Sequence, residues 1–361
     1  MYRKTAFLVC AMAALISFNN AHAAPPPNSD QGIFEVKSAD GNYKLGFSAL
    51  LQTRLEFANY QKAKGDQDKN KLNFDIPRAR FGFYGNVFDP NLTFLFQAQF
   101  ENEQARRKSD YKAKGELKEA HLTDFSVNYA FSQEFFHIAA GKFKVPLARQ
   151  LVMSPAKYQF NSPIESYREF SLAANEVTIR DIGIMFHNGW NNPLEYALAV
   201  VRSGVAARLA YNFNGIDGYD AVDLSGGDFR FALGVSGFLY RPSLMSSKFA
   251  HVNASADFII KAHGFATNGF YFYDWRKDEE ARMGGGLDLG YLIAGSWEPA
   301  LRFGWDKPGP EHAFEALVGL NYYAFGHNLK TQLYSGLGLN SKFGINNNVP
   351  IVAGLQLQFA L

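Results

Sequence analysis

The chain has 361 residues, 36 of them basic and 34 acidic, which gives a formal net charge of +2. Arg3 and Lys4, close to the N-terminus, account for that excess, so the remainder of the chain is formally neutral. A neutral chain offers no electrostatic argument for a nucleic-acid partner or for a strongly charged ligand. Any charge selectivity must therefore depend on where individual charges lie.

Residues 1–23 have the three parts of a secretory signal peptide. Arg3 and Lys4 form the charged start, residues 5–18 the apolar stretch, and Ala21-His22-Ala23 the cleavage site. The alternative is an N-terminal membrane anchor, but the apolar stretch is short and a cleavage site follows it. The only cysteine of the sequence, Cys10, lies inside this segment. The mature chain is therefore expected to lack disulfides and thiolate metal sites.

From residue 43 onward, apolar side chains repeatedly occupy every second position. In residues 43–57 the odd positions are mostly apolar, whereas Lys44, Gln52 and Arg54 occupy even positions. Side chains alternate between the two faces of a strand, so one face is apolar and the other polar. The run exceeds most soluble strands and suffices to cross a bilayer, which takes about 9 to 11 residues in a tilted strand. No later segment has the roughly 18 consecutive apolar residues of a membrane helix.

The pattern predicts an all-β protein in which residues 41–361 form a transmembrane antiparallel β-barrel of about 16 strands. Residues 24–40, which begin with a run of prolines, are expected to form a polar leader. The predicted strands are residues 43–57, 72–86, 92–103, 117–131, 134–143, 181–186, 195–202, 208–213, 229–240, 252–260, 265–275, 287–293, 300–305, 314–324, 329–334 and 351–361. The 34 phenylalanines and 18 tyrosines are expected to form two aromatic belts at the bilayer interfaces. A soluble, aromatic-rich β-sandwich is the alternative fold.

Connections between the first predicted strands alternate between long and short, as in barrels that have outer loops and periplasmic turns. Residues 60–71 and 106–115 are long and polar, whereas 89–91 and 132–133 are tight. Residues 214–228 break the rule, because they are too long for a periplasmic turn. Because of this long connection, the sequence does not fix the pairing register of the middle strands. Gly284-Gly285-Gly286 is interpreted as a strand start or a close backbone approach rather than a phosphate loop, which would need a helix after it.

Two stretches of the chain carry a family resemblance. The first is Phe74–Asn86, with the sequence FDIPRARFGFYGN, followed by residues 92–101. The second is Ala140–Leu147, AGKFKVPL, which leads to Arg180–Ile184. Over about residues 43–190 the sequence resembles the phosphate-selective porin O and P family.

The resemblance implies a fold and a function. Members of this family form barrels of about 16 strands, usually trimeric, whose third outer loop folds inward and narrows the channel. The segment at that place is Val145–Thr178, which is therefore expected to be the constriction loop. A basic pair in the strand that matches residues 74–86 faces the pore in the family. The resemblance thus implies that Arg78 and Arg80 face the lumen.

Pro77 departs from the family pattern, because phosphate-selective members usually have a further basic residue there. Proline removes a hydrogen bond from the ladder and marks an edge or a bulge. The parity of the apolar residues also changes at this point, since Phe74 and Ile76 are even whereas Phe81 and Phe83 are odd. We therefore expect a bulge near Pro77 that redirects the two arginines after it.

Strand parity directs Arg54, Arg78 and Arg80 into the barrel from neighbouring strands. Arginine is always charged and presents a fork of donors to oxyanions, so the three could form a ladder of weak anion sites. Conduction requires binding that is favourable but weak. The alternative is that the arginines only stabilise the wall by pairing with lumenal carboxylates, namely Glu56, Asp75 and Glu101.

Other charged residues flank the expected constriction loop or lie on it. Lys144 and Arg149 are the further expected solute contacts. Lys157, Glu165, Arg168 and Glu169 belong to the loop. Opposed basic and acidic rows are equally typical of a general porin, so phosphate selectivity is a narrower prediction than porin function.

An enzyme is not expected. His121, Asp124 and Ser126 are close in sequence, but Asp124 and Ser126 share strand parity whereas His121 does not, so they form no nucleophile motif. No cofactor or metal is predicted. The expected function is passive diffusion of small hydrophilic solutes, in particular anions such as phosphate, across the bacterial outer membrane. The expected partners are membrane lipid, the solutes and, in a homotrimer, further copies of the chain, with no nucleic acid. The alternatives are a non-selective porin and a structural or adhesive barrel with a plugged lumen.

Overall fold

The computed structural model describes residues 34–60, 69–100, 121–164, 180–240, 251–277, 280–307, 313–339 and 351–361. In these ranges no helix is long and apolar enough to cross a membrane. The strands are β1 Phe34–Lys37, β2 Lys44–Tyr60, β3 Lys69–Val87, β4 Asp89–Phe100, β5 His121–Ser132, β6 Phe136–Lys144, β7 Arg180–His187, β8 Leu194–Val201, β9 Gly204–Phe213, β10 Arg230–Tyr240, β11 His251–Ala262, β12 Phe265–Arg276, β13 Arg282–Tyr291, β14 Trp297–Lys307, β15 Ala313–Tyr323, β16 Leu329–Leu339 and β17 Ile351–Ala360.

Strands β2 to β17 form a closed antiparallel barrel of 16 strands. Each strand pairs with the next in the chain, and β17 pairs with β2 to close the wall, with Leu355 opposite Leu55. Closure leaves no unpaired strand edge inside the hydrocarbon layer, where unsatisfied backbone groups are very unfavourable. All 16 predicted strands are present, and residues 351–361 supply the closing strand as expected.

The short strand β1 is not an additional wall strand. It pairs with Lys44–Phe47 of β2, beyond the point where β17 ends, so β1 and β17 line the same side of β2 one after the other. Glu35 of β1 contacts the Lys44 Nζ atom at 2.8 Å. The end of the predicted leader over residues 24–40 is therefore part of the sheet, because its backbone completes the pairing of β2. The signal peptide predicted for residues 1–23 lies outside the described residues.

The wall has an apolar outer face and a mostly polar inner face. On β2, Leu51 and Leu55 point outward and are about two-fifths exposed, whereas Gln52 and Arg54 point inward and are buried. The same alternation continues in β9 and β14. An outer face of this kind is stabilised by lipid hydrocarbon and not by water.

Aromatic side chains cluster near the barrel end at which the shorter connections lie. Tyr43 contacts Phe88, Phe213 stacks on Phe231, and Trp297 contacts Tyr322, with ring centroids 5.8, 5.1 and 4.5 Å apart. Further pairs lie toward the opposite end, including Tyr271–Trp305. Aromatic rings favour the interfaces of a bilayer, and their positions agree with the two predicted belts.

One end of the barrel carries short connections, with a single exception. Residues 88, 133–135, 188–193, 263–264, 292–296 and 324–328 join strands at this end. Short turns are typical of the periplasmic side. The exception is the connection between β9 and β10, residues 214–229, which also lies at this end. Its length does not disturb the register of the flanking strands, because Phe213 still pairs with Phe231; the connection folds into the barrel instead of spreading outward.

Candidate pore constriction

Residues 145–164 follow β6 and fold into the barrel; we call them the inward loop. They contain a single helical turn, α1 Arg149–Val152, and a 3-10 turn, Pro155–Lys157. Leu147, Leu151 and Ile164 are at most 4 % exposed, although they belong to a loop. The inward course expected for this loop is therefore confirmed for its first part, residues 145–164. Its remainder, with Glu165, Arg168 and Glu169, lies outside the described residues.

Apolar side chains fix one side of the inward loop to the wall. They pack in a single cluster with small and aromatic residues that point inward from β6 to β12, namely Ala139, Phe143, Met185, Ala197, Ala199, Val201, Ala206, Phe238, Phe270 and Phe272. These strands thus present an apolar patch to the loop, in contrast to the polar inner face of β2. Burial of this surface supplies the main attraction between loop and wall.

Polar side chains of the wall fix the other side of the loop through its backbone. Arg54 donates to the carbonyl of Asn161 at 3.1 Å, and Lys330 donates to that of Tyr158 at 2.9 Å. Similar bonds reach the carbonyls of Ala156 from Gln358, of Gln159 from Asn321 and of Ser162 from Arg302. Buried carbonyl groups need such donors, since they are removed from water. The loop is therefore bound along β14 to β17 and β2 as well.

Glycines in the wall make room for the loop. A Cβ atom on Gly286 or Gly304 would lie 2.7 or 2.8 Å from the Cγ2 atom of Ile164, closer than side chains tolerate. A Cβ atom on Gly319 would lie 2.9 Å from the ring of Phe160. Gly286, in the glycine run at residues 284–286, is therefore a point of close approach between wall and loop, and close approach is one of the two interpretations made from the sequence.

The predicted bulge is present beside Pro77. Gln52 of β2 pairs with Arg78 and Arg54 pairs with Asp75, so one residue of β2 lies opposite Ile76 and Pro77. The two-against-one pairing restores inward parity after the proline. As a result Arg54, Arg78 and Arg80 all point into the barrel, as the sequence predicted.

The three arginines differ in how they are held. Arg54 is 1 % exposed and donates to Gln356 at 3.1 and 2.7 Å, and its Nη1 atom lies 3.9 Å from a Glu56 oxygen. Arg80 is also buried and donates from Nε to the side-chain oxygen of Gln99 at 2.9 Å. The contact between Arg54 and Glu56 agrees in part with the alternative that the arginines stabilise the wall by pairing with lumenal carboxylates.

Arg78 is the most accessible of the three, since it is only partly buried. Its Nη1 atom donates to Gln52 at 2.8 Å and to the Asn161 carbonyl at 3.4 Å. Both acceptors are neutral, so within the described part of the chain no ion pair occupies this guanidinium. Asp75 lies within electrostatic range of it and of Arg54.

Lys144 and Arg149 bind protein groups. Lys144 donates to the carbonyls of Val152 and Met153 at 3.2 and 2.8 Å. Arg149 is 2 % exposed and contacts the Asp257 carboxylate at 3.1 Å. These two residues thus hold the inward loop in its fold and against β11. Strand parity predicts whether a side chain points into the barrel, but it does not predict which group that side chain binds.

Lys157 is the described charge of the inward loop that remains partly exposed. Its Nζ atom lies 3.4 Å from an Asp217 oxygen in the β9–β10 connection. The pair therefore joins two segments that both lie inside the barrel.

Sequence reasoning missed several inward charges on later strands. Arg208 contacts Asp257 at 2.6 Å, and Arg302 contacts Asp288 at 2.7 Å. Arg302 also lies over the Phe160 ring at 4.6 Å. For Arg302, the sequence does contain a signal. In residues 298–306, Glu, Ala, Arg, Gly and Asp alternate with outward apolar residues, so strand parity directs Arg302 inward.

Positive charge collects around the inward loop near Tyr158. Four arginines act on its side chain electrostatically, and they come from three parts of the wall: Arg78, Arg80, Arg180 and Arg302. Arg180 is paired with Asp124 at 2.9 Å and Arg302 with Asp288. The positive potential at this place therefore comes both from arginines that are paired with a carboxylate, Arg180 and Arg302, and from Arg78, whose hydrogen bonds go to neutral acceptors.

A closed barrel with an apolar outer face and a loop folded into its interior is the architecture of an outer-membrane porin. Residues 47–157 match the family model described as phosphate-selective porin O and P, which confirms the predicted resemblance over that stretch. No protein among the curated sequences matches the chain. The family match over residues 47–157 and the fold together support an outer-membrane porin of a bacterium.

Solved structures share the fold at low sequence identity. An anion-selective porin from Comamonas acidovorans is 13 % identical with a TM-score of 0.60, over 88 % of this chain and 100 % of that one. The outer membrane channel DcaP of Acinetobacter baumannii is 9 % identical with a TM-score of 0.59, over 90 % and 99 %. OmpT of Vibrio cholerae in a trimer form is 9 % identical with a TM-score of 0.55, over 88 % and 99 %. At these identities the likeness concerns the fold alone.

Proposed function

We propose that the protein lets small hydrophilic solutes diffuse passively across the outer membrane, with a preference for anions such as phosphate. The observation that carries the preference is Arg78, an inward arginine that is partly exposed beside the inward loop and bonded only to neutral acceptors among the described residues. The names of the matching family and of the Comamonas porin support the same preference.

Arg78 has the chemistry of a weak anion site. Its guanidinium keeps its charge at all physiological pH values and offers parallel N–H donors to two oxygens of a phosphate. Gln52 and the Asn161 carbonyl fix Nη1, so the remaining donors are held in place beside the loop. Arg54 and Arg80 stand on either side along the wall and add positive potential without direct exposure. One accessible cation backed by buried ones gives attraction without tight capture, which conduction requires.

We assign the remaining predicted site residues to different roles. Lys144 and Arg149 hold the inward loop, since their cationic groups are bonded to loop carbonyls and to Asp257. Lys157 links the loop to Asp217. The place of Glu165, Arg168 and Glu169 on the constriction loop remains a prediction from the sequence.

We also infer a channel without catalytic function and a homotrimeric assembly. Asp124 is paired with Arg180 and therefore does not serve as the acid partner of a nucleophile at Ser126. The trimer form of the Vibrio OmpT structure, which shares the fold, supports three copies. Chemical cross-linking in detergent would test this, with a trimer band expected and a purely monomeric ladder contradicting it.

A plugged barrel is the second candidate, because one observation favours it. The inward loop and the β9–β10 connection both lie inside the barrel, and their apolar side chains are almost fully buried. If they close the lumen, the protein would be structural or adhesive. Conductance distinguishes this candidate from a channel.

The experiment is a reversal-potential measurement on the refolded protein in a planar bilayer under a potassium chloride gradient. We expect a potential displaced toward that of chloride, and block of the chloride current by added phosphate. In Arg78→Gln, loss of one charge about 4 Å from a passing anion removes about 1 kcal/mol in a water-like pore, which is about a fivefold fall in anion preference. Arg202→Gln, at an exposed arginine between β8 and β9, should retain the wild-type preference.

Each other outcome has a definite meaning. A cation-selective current, or a current that Arg78→Gln leaves unchanged, would leave a general porin. Absence of current in all variants would favour the plugged barrel.

A further inference from the structure

The connection between β9 and β10, residues 214–229, is built like an internal segment and not like an external turn. Ile216, Tyr219, Ala221 and Val222 are each 1 % exposed. The segment begins with Asn214 and Gly215, both in the left-handed backbone region at φ 58° and 66°. These residues turn the chain sharply where it leaves β9, and the segment then lies inside the barrel mouth. We call residues 214–229 the strut.

The strut crosses the mouth of the barrel. It leaves the wall between β9 and β10, yet Asp220 lies 3.0 Å from the His327 ring in the turn between β15 and β16. Between these places stand β11, β12, β13 and β14, so the strut covers a large part of the width of the barrel. On the way, an Asp223 oxygen accepts a 2.9 Å bond from the backbone N–H of Gly264 in the β11–β12 turn. The strut is therefore tied at three places around the rim.

The strut also binds the inward loop directly. Arg149 donates to the Gly218 carbonyl at 3.1 Å and lies over the Tyr219 ring at 4.9 Å. The backbone N–H of Ala221 donates to the Lys157 carbonyl at 3.2 Å. Met153 and Tyr158 of the loop pack against Ala221.

The residues that join strut and loop are also bonded to the barrel wall. Arg149 also pairs with Asp257 of β11, and the phenol of Tyr219 donates to Glu195 of β8. A shift of the inward loop would break an ion pair, a backbone hydrogen bond and an apolar contact at once. The strut thus supports the loop in addition to the wall contacts of the loop.

We propose that the strut is part of the constriction: it fixes the inward loop and sets the size limit for solutes at the periplasmic mouth. This rests on the proposed function, since a size limit exists only in a channel. The solutes concerned are those of the proposed function, small hydrophilic molecules, and the strut discriminates among them by size. Charge preference remains with the arginines of β2 and β3.

The first test removes the strut. The strut and Arg230, the first residue of β10, are replaced by Asn-Gly, which suits a two-residue hairpin between strands that pair at Phe213 and Phe231. We expect single-channel conductance at least about twofold that of the wild type, and entry of larger uncharged sugars in a liposome-swelling assay. Conductance and sugar cut-off equal to the wild type, in a correctly folded variant, would overturn the proposal. If neither protein conducts, the proposed function fails together with it, whereas a silent wild type and a conducting variant would identify the strut as a plug.

The second test keeps the strut and asks whether it touches the loop in the membrane. The Lys157→Cys/Ala221→Cys double variant places thiols on two residues whose backbones share a 3.2 Å hydrogen bond. A disulfide requires a Cα separation of about 4.4–6.8 Å, which backbones that close can adopt. The matched control is Lys157→Cys/Ser225→Cys, because Ser225 is exposed on the same strut. Under mild oxidation we expect nearly complete cross-linking of the first pair, with the conductance of its reduced form retained, and little cross-linking of the control. Equal cross-linking of both pairs, or none in either, would overturn the proposal even if the deletion variant failed to fold.

Discussion

On β6 to β12 several inward side chains are small or apolar and pack against the inward loop, next to buried charges such as Arg208 and Asp257. On β3 to β5 several inward polar side chains remain partly exposed. Leu151 and Ala199 on the first side are fully buried, while Ser126 and Asn128 of β5 keep part of their surface accessible. We call these the packed side and the open side. If the protein conducts as proposed, this difference predicts a solute path along the open side, next to Arg78, while the packed side holds the loop.

The packed side depends on one carboxylate that two buried arginines share. Asp257 contacts Arg149 at 3.1 Å and Arg208 at 2.6 Å. Asp257→Asn would leave two buried cations without their shared anion, and breaking buried pairs of this kind costs about 3–5 kcal/mol. Urea unfolding of the refolded protein, followed by tryptophan fluorescence, measures the loss. Asp217→Asn is the control, because its pair with Lys157 is partly exposed and such pairs contribute about 0–1 kcal/mol. Equal losses in the two variants would contradict the account.

Removal of apolar contacts should also affect the two sides unequally. Leu151 is fully buried in the apolar cluster of the packed side, so Leu151→Ala should lower the free energy of unfolding by about 2–5 kcal/mol. Thr93→Ala on the open side removes two weak 3.4 Å bonds, one donated to the Asn128 carbonyl and one accepted from the Asn128 side-chain amide. It should change the free energy of unfolding by about 0.5 kcal/mol or less. The same urea titration gives both values. A larger loss for Thr93→Ala would mean that the open side is packed too.

The smallest expected effect concerns pH at the strut. Burial lowers the pKa of His327, and the Asp220 carboxylate, which raises it, compensates only in part; Lys330 and Lys157 lower it further. Burial raises the pKa of Asp220, but His327, Lys261 and Lys157 outweigh it, so the pKa is lowered. A histidine with a depressed folded-state pKa stabilises the folded state above its unfolded pKa of about 6.5, and this contribution is lost as the pH falls below that value.

Thermal unfolding between pH 7.5 and pH 5 should therefore show a falling midpoint in the wild type. His327→Gln, which retains a donor for Asp220 but cannot titrate, should flatten that dependence in this range. A steeper fall in the variant would show that other groups control it.

Much of the fold could be predicted from the sequence, because a strand that separates lipid from water must alternate. Residues 43–57 and 351–361 show this directly, and even the bulge at Pro77 could be inferred, since proline and a change of parity coincide there. The strand β1 was missed because four residues carry too little periodicity. The inward course of residues 214–229 was missed as well: their length was noticed, but length alone does not say on which side of the wall a connection lies.

The site was predicted less completely. Parity gave the direction of Arg54, Arg78 and Arg80, but hydrogen-bond partners come from strands far apart in sequence, such as Gln356 for Arg54. Lys144 and Arg149 were expected to face solutes and instead bind loop carbonyls and Asp257. Such long-range pairings depend on the closed barrel and the folded loop, which no local pattern encodes.

The most direct test of the central claim compares two matched serines that point inward. Ser126 lies partly exposed on β5 of the open side, whereas Ser255 on β11 is 6 % exposed and bonded to Ser236. Ser126→Cys and Ser255→Cys are treated with a negatively charged methanethiosulfonate reagent during bilayer recording. The account predicts a reduced anion current in Ser126→Cys and an unchanged current in Ser255→Cys; a reduction confined to Ser255→Cys would contradict it, because the solutes would then pass along the packed side.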